Sequence, residues 1–166
     1  RSPEYFAAWR PVCALAPGVL GQTGVEANEV IRGVLDRVRP GAVIAVDALA
    51  AGRLSRLVRT VQLTDTGIVP GSGVGNARAA LNEQALGVPV LAVGVPTVAD
   101  GGSIAHEIAC QLGGAACEAL DDLSQPFIIT TRDIDREVAD TARLIGYAVN
   151  MALQGLSVED IDLYLS

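Results

Sequence analysis

The sequence has no lysine: all 12 of its basic residues are arginine. That removes the lysine of a phosphate-binding P-loop, the Schiff-base lysine and the Ser/Lys dyad from consideration. Histidine is nearly absent as well. With His106 as its single histidine, the chain can build neither an HExxH zinc site nor any multi-histidine metal centre, and at most one His-dependent triad remains. The arginines are spread singly rather than gathered into a stripe, and the net charge is −7, so direct nucleic-acid binding is not expected. Long apolar runs are missing too. The longest, Leu86 to Val95, is broken by Gly87, Pro89 and Gly94 and is about half the roughly 20 residues a membrane span needs. It reads as a buried strand, and no membrane partner is expected.

The N-terminal stretch RSPEYFAAWRP lacks the basic segment, apolar core and small-residue cleavage site of a signal peptide. It begins at Arg1 rather than Met, which points to a missing upstream segment. The three cysteines, Cys13, Cys110 and Cys117, are an odd number without CxxC spacing, each in an apolar context. Free thiols packed as small hydrophobes, in a reducing cytosol, are the expectation.

What is present suits a compact α/β domain. A chain of 166 residues, 50% of them hydrophobic, can bury about two-thirds of its unfolded surface, and one domain over 1–166 is expected. A first strand is read at Pro11 to Leu15, ahead of the turn GVLGQTG. Thr23 and Glu26 have capping-box spacing, and Val30, Ile31, Val34, Leu35 and Val38 then share one helical face as far as Pro40. VIAV is a β-branched run without polar alternation, as in a parallel strand covered on both faces, and it ends at Asp47. ALAAGRLSRL is read as a short helix, VRTVQL as a third strand and VPVLAVGV as a fourth. PTVADGG then leads into a helix over SIAHEIACQL, and FIIT supplies a fifth strand. Helical periodicity returns from Arg132 to Gln154, and Ser157 with Asp160 opens a short terminal helix. This alternation predicts a three-layer α/β/α fold with a mainly parallel sheet.

In such sheets ligands bind beyond the carboxyl ends of the strands, which makes Asp47 the leading candidate for function. The same position before ALAAGRL equally suits a helix N-cap. The loop from Thr64 to Asn76 holds Asp65, Gly67, Gly71, Gly73, Gly75, Pro70 and Ser72, a composition that permits positive φ and close approach of another backbone, as a peptide or phosphate ligand requires. It is not a dinucleotide fingerprint, because GxGxxG is absent. Asp65 also follows an apparent strand, so Asp47 and Asp65 can converge as a carboxylate pair that shares a proton or holds water; the plainer reading of Asp65 is an Asx-turn. Glu26 and Asp100 rank second, as cap and turn residues. Ser72 lacks the GxSxG setting of a serine hydrolase, and His106 reads as a packing or surface residue.

Four phrases in order, APGVLGQTGVEANEVI, VIAVDALAAGRL, QLTDTGIVPGSGVGNAR and LGVPVLAVGVPTVAD, resemble the germination protease family, as does TTRDIDREVADTARLIGYAVNMALQ near the end. The resemblance implies a phosphorylase/hydrolase-like fold related to hydrogenase-maturation peptidases. It also implies a cytoplasmic endopeptidase of the spore core or forespore, made as a zymogen and forming a homo-oligomer, that degrades small acid-soluble spore proteins during germination. Such enzymes are thought to use two aspartates, one of which matches Asp47. The other belongs to an upstream segment, with its strand and helix, that would precede Arg1, so an upstream segment or chain is expected to complete the site. Within this chain Asp65 is the second catalytic candidate, and Thr64, Gly71, Ser72, Gly73 and Asn76 are the candidate substrate-binding loop. No cofactor is firmly implied, although a divalent metal is possible. The alternatives are an incomplete fragment or pseudo-peptidase that binds peptide or a partner chain, and a peptidase of the hydrogenase-maturation type.

Overall fold

A computed structural model describes residues 4, 7–112 and 127–165. Cys117 and most of the Gly- and Ala-rich stretch after Ser103 lie outside those residues. The chain divides into two compact units, Ala16–Ile134 and the pair of segments Arg1–Leu15 and Asp135–Ser166.

The larger unit is built on an open mixed sheet. Its strands are β1 (Val43–Ala51), β2 (Gln62–Thr64), β3 (Val90–Asp100) and β4 (Ile128–Ile129). β3 lies between β1 and β2; β1 runs parallel to it, while β2 and β4 run antiparallel. The expectation of a mainly parallel sheet is therefore corrected. Parallel neighbours need a long crossover, usually helical. After β1 the chain instead makes a single 3-10 turn at Leu54–Arg56, and the Val58 N–H donates to the Pro96 carbonyl at 2.7 Å. The segment ALAAGRL does not form a helix: its first half continues β1. Asp47 thus stands inside β1 rather than at its end, and its reading as a helix cap falls. PTVAD likewise belongs to β3. These runs of Ala, Val and Leu suit either state locally, and pairing along Val43–Ala51 and Val90–Ala99 decides for strand.

The helices of this unit are α1 (Leu20–Thr23), α2 (Ala27–Val38), α3 (Glu83–Leu86) and α4 (Gly101–Leu112). Pro11 to Leu15 forms no strand. The capping box before α2 does not close either. Thr23 turns its hydroxyl to the Val19 and Val25 carbonyls, and Glu26 pairs with Arg78 at 3.4 Å. Two further contacts fasten α2 to the segment that follows the glycine loop. Buried Asn28 donates to the Ala80 carbonyl at 3.0 Å, and Arg32 donates to the Ala85 carbonyl at 2.7 Å. At the start of α4, Asp100 Oδ1 accepts from the Ser103 N–H at 2.7 Å and from its hydroxyl at 2.8 Å. Those bonds hold the Asp100 carboxyl below its ordinary value, which is the chemistry of an N-cap.

The core gathers Ala51, Leu57, Ala99 and Ile104, with Val58 and Ile129 packed against them. Val90 and Ala92 are buried on one face of β3, and Val93 and Val95 on the other. Cover is uneven: Val46 is 56% and Leu63 67% exposed, so β1 is not sealed on both faces as its apolar run suggested. Cys13 is exposed and free, whereas Cys110 is disulfide-bonded and exposed on α4. The expectation of a packed free thiol fails there.

The smaller unit contains α5 (Ile134–Gln154) and α6 (Val158–Leu165). Gln154 clamps Arg10 by accepting from its N–H at 2.8 Å and donating to its carbonyl at 3.1 Å. The capping box expected before α6 is formed: the Ser157 N–H donates to Asp160 Oδ2 at 2.8 Å, and the Asp160 N–H donates to the Ser157 hydroxyl at 3.2 Å. Among the described residues no helix is long and apolar enough to cross a membrane.

Candidate functional site

Asp47 is the fifth residue of β1, and alternation along the strand sets its side chain on the same face as Ala45 and Leu49. In the ladder it stands opposite Gly94 of β3, and on the far side of Gly94 stands Gln62 of β2. The row across the sheet is therefore carboxylate, bare backbone, amide. One step along, Ala45, Ala92 and Thr64 form the next row on this face.

Gly94 has no side chain to fill its place, and Leu49 fills it. A Cβ built on Gly94 would meet only Leu49 atoms as its nearest neighbours, with Cγ at 2.7 Å and Cδ2 at 3.2 Å. Asp47 is half-buried. Burial pushes its carboxyl above the ordinary value of 3.8, partly offset by a hydrogen bond from the Ala48 N–H. Desolvation disfavours the charged form, so this group holds a proton more firmly than an exposed aspartate does. It is the one carboxylate among the described residues whose resolved shift is upward, since Asp100 and Asp160 are both held below the ordinary value by serine N–H and hydroxyl donors.

Asp65 does not join it. The residue just before it, Thr64, pairs with Ala92, while Asp47 pairs with Gly94, and β3 runs between. Strand spacing and rise put Thr64 and Asp47 about 12 Å apart at the backbone. Asp65 is exposed, and among the described residues its carboxylate makes no hydrogen bond. The turn it occupies is not an Asx-turn. Thr64 makes it instead, accepting from the Thr66 N–H at 3.1 Å and meeting the Thr66 hydroxyl at 2.7 Å.

The glycine-rich loop is tightly organised by its own backbone. Asn76 N–H donates to the Gly71 carbonyl at 3.0 Å, Arg78 N–H to the Pro70 carbonyl at 2.9 Å, and Ser72 N–H to the Val69 carbonyl at 3.3 Å. Gly71 adopts φ +74, and a side chain there would strike the Asn76 carbonyl. Gly73 lies directly on β1: a Cβ would come within 2.6 Å of Ala50 Cβ. The glycines read in the sequence as ligand-facing thus have structural work of their own, closing the loop and seating it on the strand that carries Asp47. The side chains of Ser72 and Asn76 stay exposed and unbonded among the described residues, so these are the loop atoms open to a ligand.

Sequence reasoning missed Gln62 and Leu49. A glycine inside an apolar strand is the available signal, because it marks a bulge or a close approach. Here it marks the approach of Leu49. For a metal, no group of three or more His, Cys, Asp or Glu side chains is clustered among the described residues. A divalent cation held at Asp47 would draw its remaining ligands from outside them. His106, exposed on α4, has Nε2 3.5 Å from Cys110 Sγ.

Comparison with known proteins gives a consistent answer. Residues 2–112 match the germination protease family. A germination protease of Clostridium perfringens strain SM101 is 36% identical over 184 aligned positions, covering 95% of this chain and 57% of that protein. One from Caldanaerobacter subterraneus is 40% identical over 180 positions, covering 92% of this chain and 56% of it. One from Bacillus pumilus is 54% identical over 99 positions, covering 60% and 27% respectively. The chain therefore spans little more than half the length of the relatives it matches end to end.

Proposed function

The chain belongs to the germination protease family, and from that membership we propose that the whole protein is an endopeptidase acting on small acid-soluble spore proteins at germination, with Asp47 activating water. The observation that carries the reading is the setting of Asp47: a half-buried carboxyl raised by desolvation, paired with Gly94, whose missing side chain leaves a place that apolar Leu49 fills. A carboxylate with raised proton affinity is a stronger general base, and it stays close enough to neutrality to return the proton to a leaving amine. Peptide hydrolysis needs a second proton carrier. The described residues place none beside Asp47, and in this reading an aspartate from an upstream segment or a second chain supplies it. A three-layer, hydrolase-like sheet completed by that segment is part of the same reading.

The loop Thr64 to Asn76 holds substrate backbone through exposed groups, chiefly Ser72 and Asn76, while Gly71 and Gly73 fix its shape and its seat on β1. Synthesis as a zymogen, assembly into a homo-oligomer and residence in the spore core accompany this function.

The test is cleavage of a small acid-soluble spore protein by the whole protein carrying Asp47→Asn. Loss of a general base costs about 100- to 10,000-fold, and full activity in the variant defeats the reading. Asp65→Asn separates the two aspartates: it leaves turnover within a few-fold if the partner lies elsewhere. Because Asp47 has no carboxylate beside it in the described residues, a peptide-binding protein without turnover is the second reading. Tight substrate binding with no cleavage by the unaltered protein selects it.

A further inference from the structure

We infer that Leu49 is a positioning residue for Asp47: its side chain, laid over the bare backbone of Gly94, shuts water from one flank of the carboxylate and so governs its charge state. The geometry carries this. Asp47 and Gly94 are directly paired, so the point where Gly94 would bear a Cβ lies about 4.8 Å from the Cβ of Asp47, the spacing of neighbouring strands. Leu49 Cγ stands 2.7 Å from that point and Cδ2 3.2 Å from it, with Cδ1 closer still. A leucine isobutyl group therefore occupies the slot that a side chain at position 94 would otherwise fill, next to the carboxylate on the same face.

Among the described residues, no charged side chain on this face accounts for the environment. On this face β3 contributes Val90, Ala92 and Pro96, and β2 contributes Gln62 and Thr64, none of which titrates. Asp100, at the far end of β3, is engaged by Ser103. The glycine loop that meets β1 at Ala50 has Asp65 and Arg78 as its flanking charges, and Arg78 is paired with Glu26. Burial is the leading cause of the upward shift at Asp47, and no charged side chain is among its causes. Among the described residues, Leu49, laid over Gly94 beside Asp47, is the apolar side chain placed to provide that cover. Gly94 is required in turn, because any larger residue would push Leu49 off the carboxylate.

This rests on Asp47 being the working carboxylate, but its test does not depend on catalysis. The whole protein is labelled with 13C at aspartate side-chain carbons, the Asp47 signal is assigned by its loss in Asp47→Asn, and its midpoint is followed against pH. In Leu49→Ala the midpoint falls toward that of an exposed aspartate, and in Leu49→Met, which keeps an apolar cover, it stays at the parent value. The acid limb of the cleavage profile moves down with it in Leu49→Ala. Should Leu49→Ala not fold, Leu49→Thr keeps strand propensity while replacing the cover with a hydroxyl, and the same fall is expected. An unchanged midpoint in a folded Leu49→Ala or Leu49→Thr overturns the inference. A shifted midpoint with undiminished activity in Asp47→Asn would leave this inference standing and sink the catalytic reading instead.

Discussion

Alanine at Gly73 should separate the glycine loop from β1, and the size of the effect follows from contact distances. Gly73 is not in the left-handed region, so alanine brings no backbone penalty there; what it brings is a methyl group 2.6 Å from Ala50 Cβ and 3.1 Å from Ala50 N. Carbon atoms rest at about 3.5–4.0 Å, so the loop must retreat by roughly an ångström. β1 cannot yield in its place, because Ala50 is paired with Val98 of β3 next to the register shift between Leu49 and Ala50. Overpacking of this kind costs about 1–3 kcal/mol. For a chain of this size that lowers the melting temperature by roughly 3–10 °C.

Gly75→Ala is the matched control. Gly75 has φ +70 but open space around its missing side chain, so alanine there costs about 1 kcal/mol of backbone strain without moving the loop. Thermal melts by circular dichroism give the stabilities, and amide spectra show where the strand feels the change. Gly73→Ala should shift the resonances of Leu49, Ala50 and Ala51, and Gly75→Ala should leave them in place. If Gly73→Ala melts with the parent and the β1 amides do not move, the loop is not seated on β1 and its link to Asp47 is lost.

Three further outcomes are expected. Asp47→Asn should melt above the parent at pH 7: the folded carboxyl is raised above 3.8 by burial, so the fold disfavours its ionised form once pH passes the folded value. The difference should vanish in acid, below 3.8, where both states are protonated, and a lower melting temperature for the variant at pH 7 would contradict the assigned burial. Asp100→Ala should behave oppositely, since its carboxyl is lowered by the Ser103 N–H and hydroxyl. Its stabilising effect is complete above 3.8 and fades as pH falls through the folded value, so melts of parent and variant should converge in acid. Asn28→Ala leaves the half-buried Ala80 carbonyl without the donor that buried Asn28 supplies and should cost about 1–3 kcal/mol, read from urea unfolding; a neutral result would show that water replaces the amide.

The sequence reveals strands and helices best where a single local signal is strong. α2 and α5 show the helical period clearly, and the Ser157/Asp160 box before α6 forms as its spacing implies. The failures lie where two elements compete for one residue or where a partner strand decides. Thr23 and Glu26 have the right spacing for a cap, but Glu26 is drawn to Arg78, whose position after the glycine loop no local pattern reveals. ALAA has a helix former at most positions, yet β3 extends beside it and makes it strand. The sense of β2 was equally illegible, because it depends on a turn too short for a crossover and on the Val58 bond to Pro96.

The candidate site divides along the same line. Asp47 stands out in the sequence as an acid set in an apolar run, but the setting expected for it, a strand end open to ligand, is not the one the fold supplies. Its character comes from the middle of a strand, opposite Gly94 of the neighbouring strand, which leaves a vacancy that Leu49 enters. Both residues are present in the sequence, 45 positions apart, and only the register between β1 and β3 brings them together. The glycine loop illustrates the converse. Its composition suggested a ligand cradle, but much of that composition is consumed by turns and by contact with Ala50, so what is left exposed and unbonded among the described residues is the pair of side chains Ser72 and Asn76. On the proposed reading, a loop tied by its own backbone and seated on β1, together with a partly dried carboxylate on that strand, makes half of a hydrolytic site, and the other half would approach the face of β1 that carries Asp47, beside Leu49.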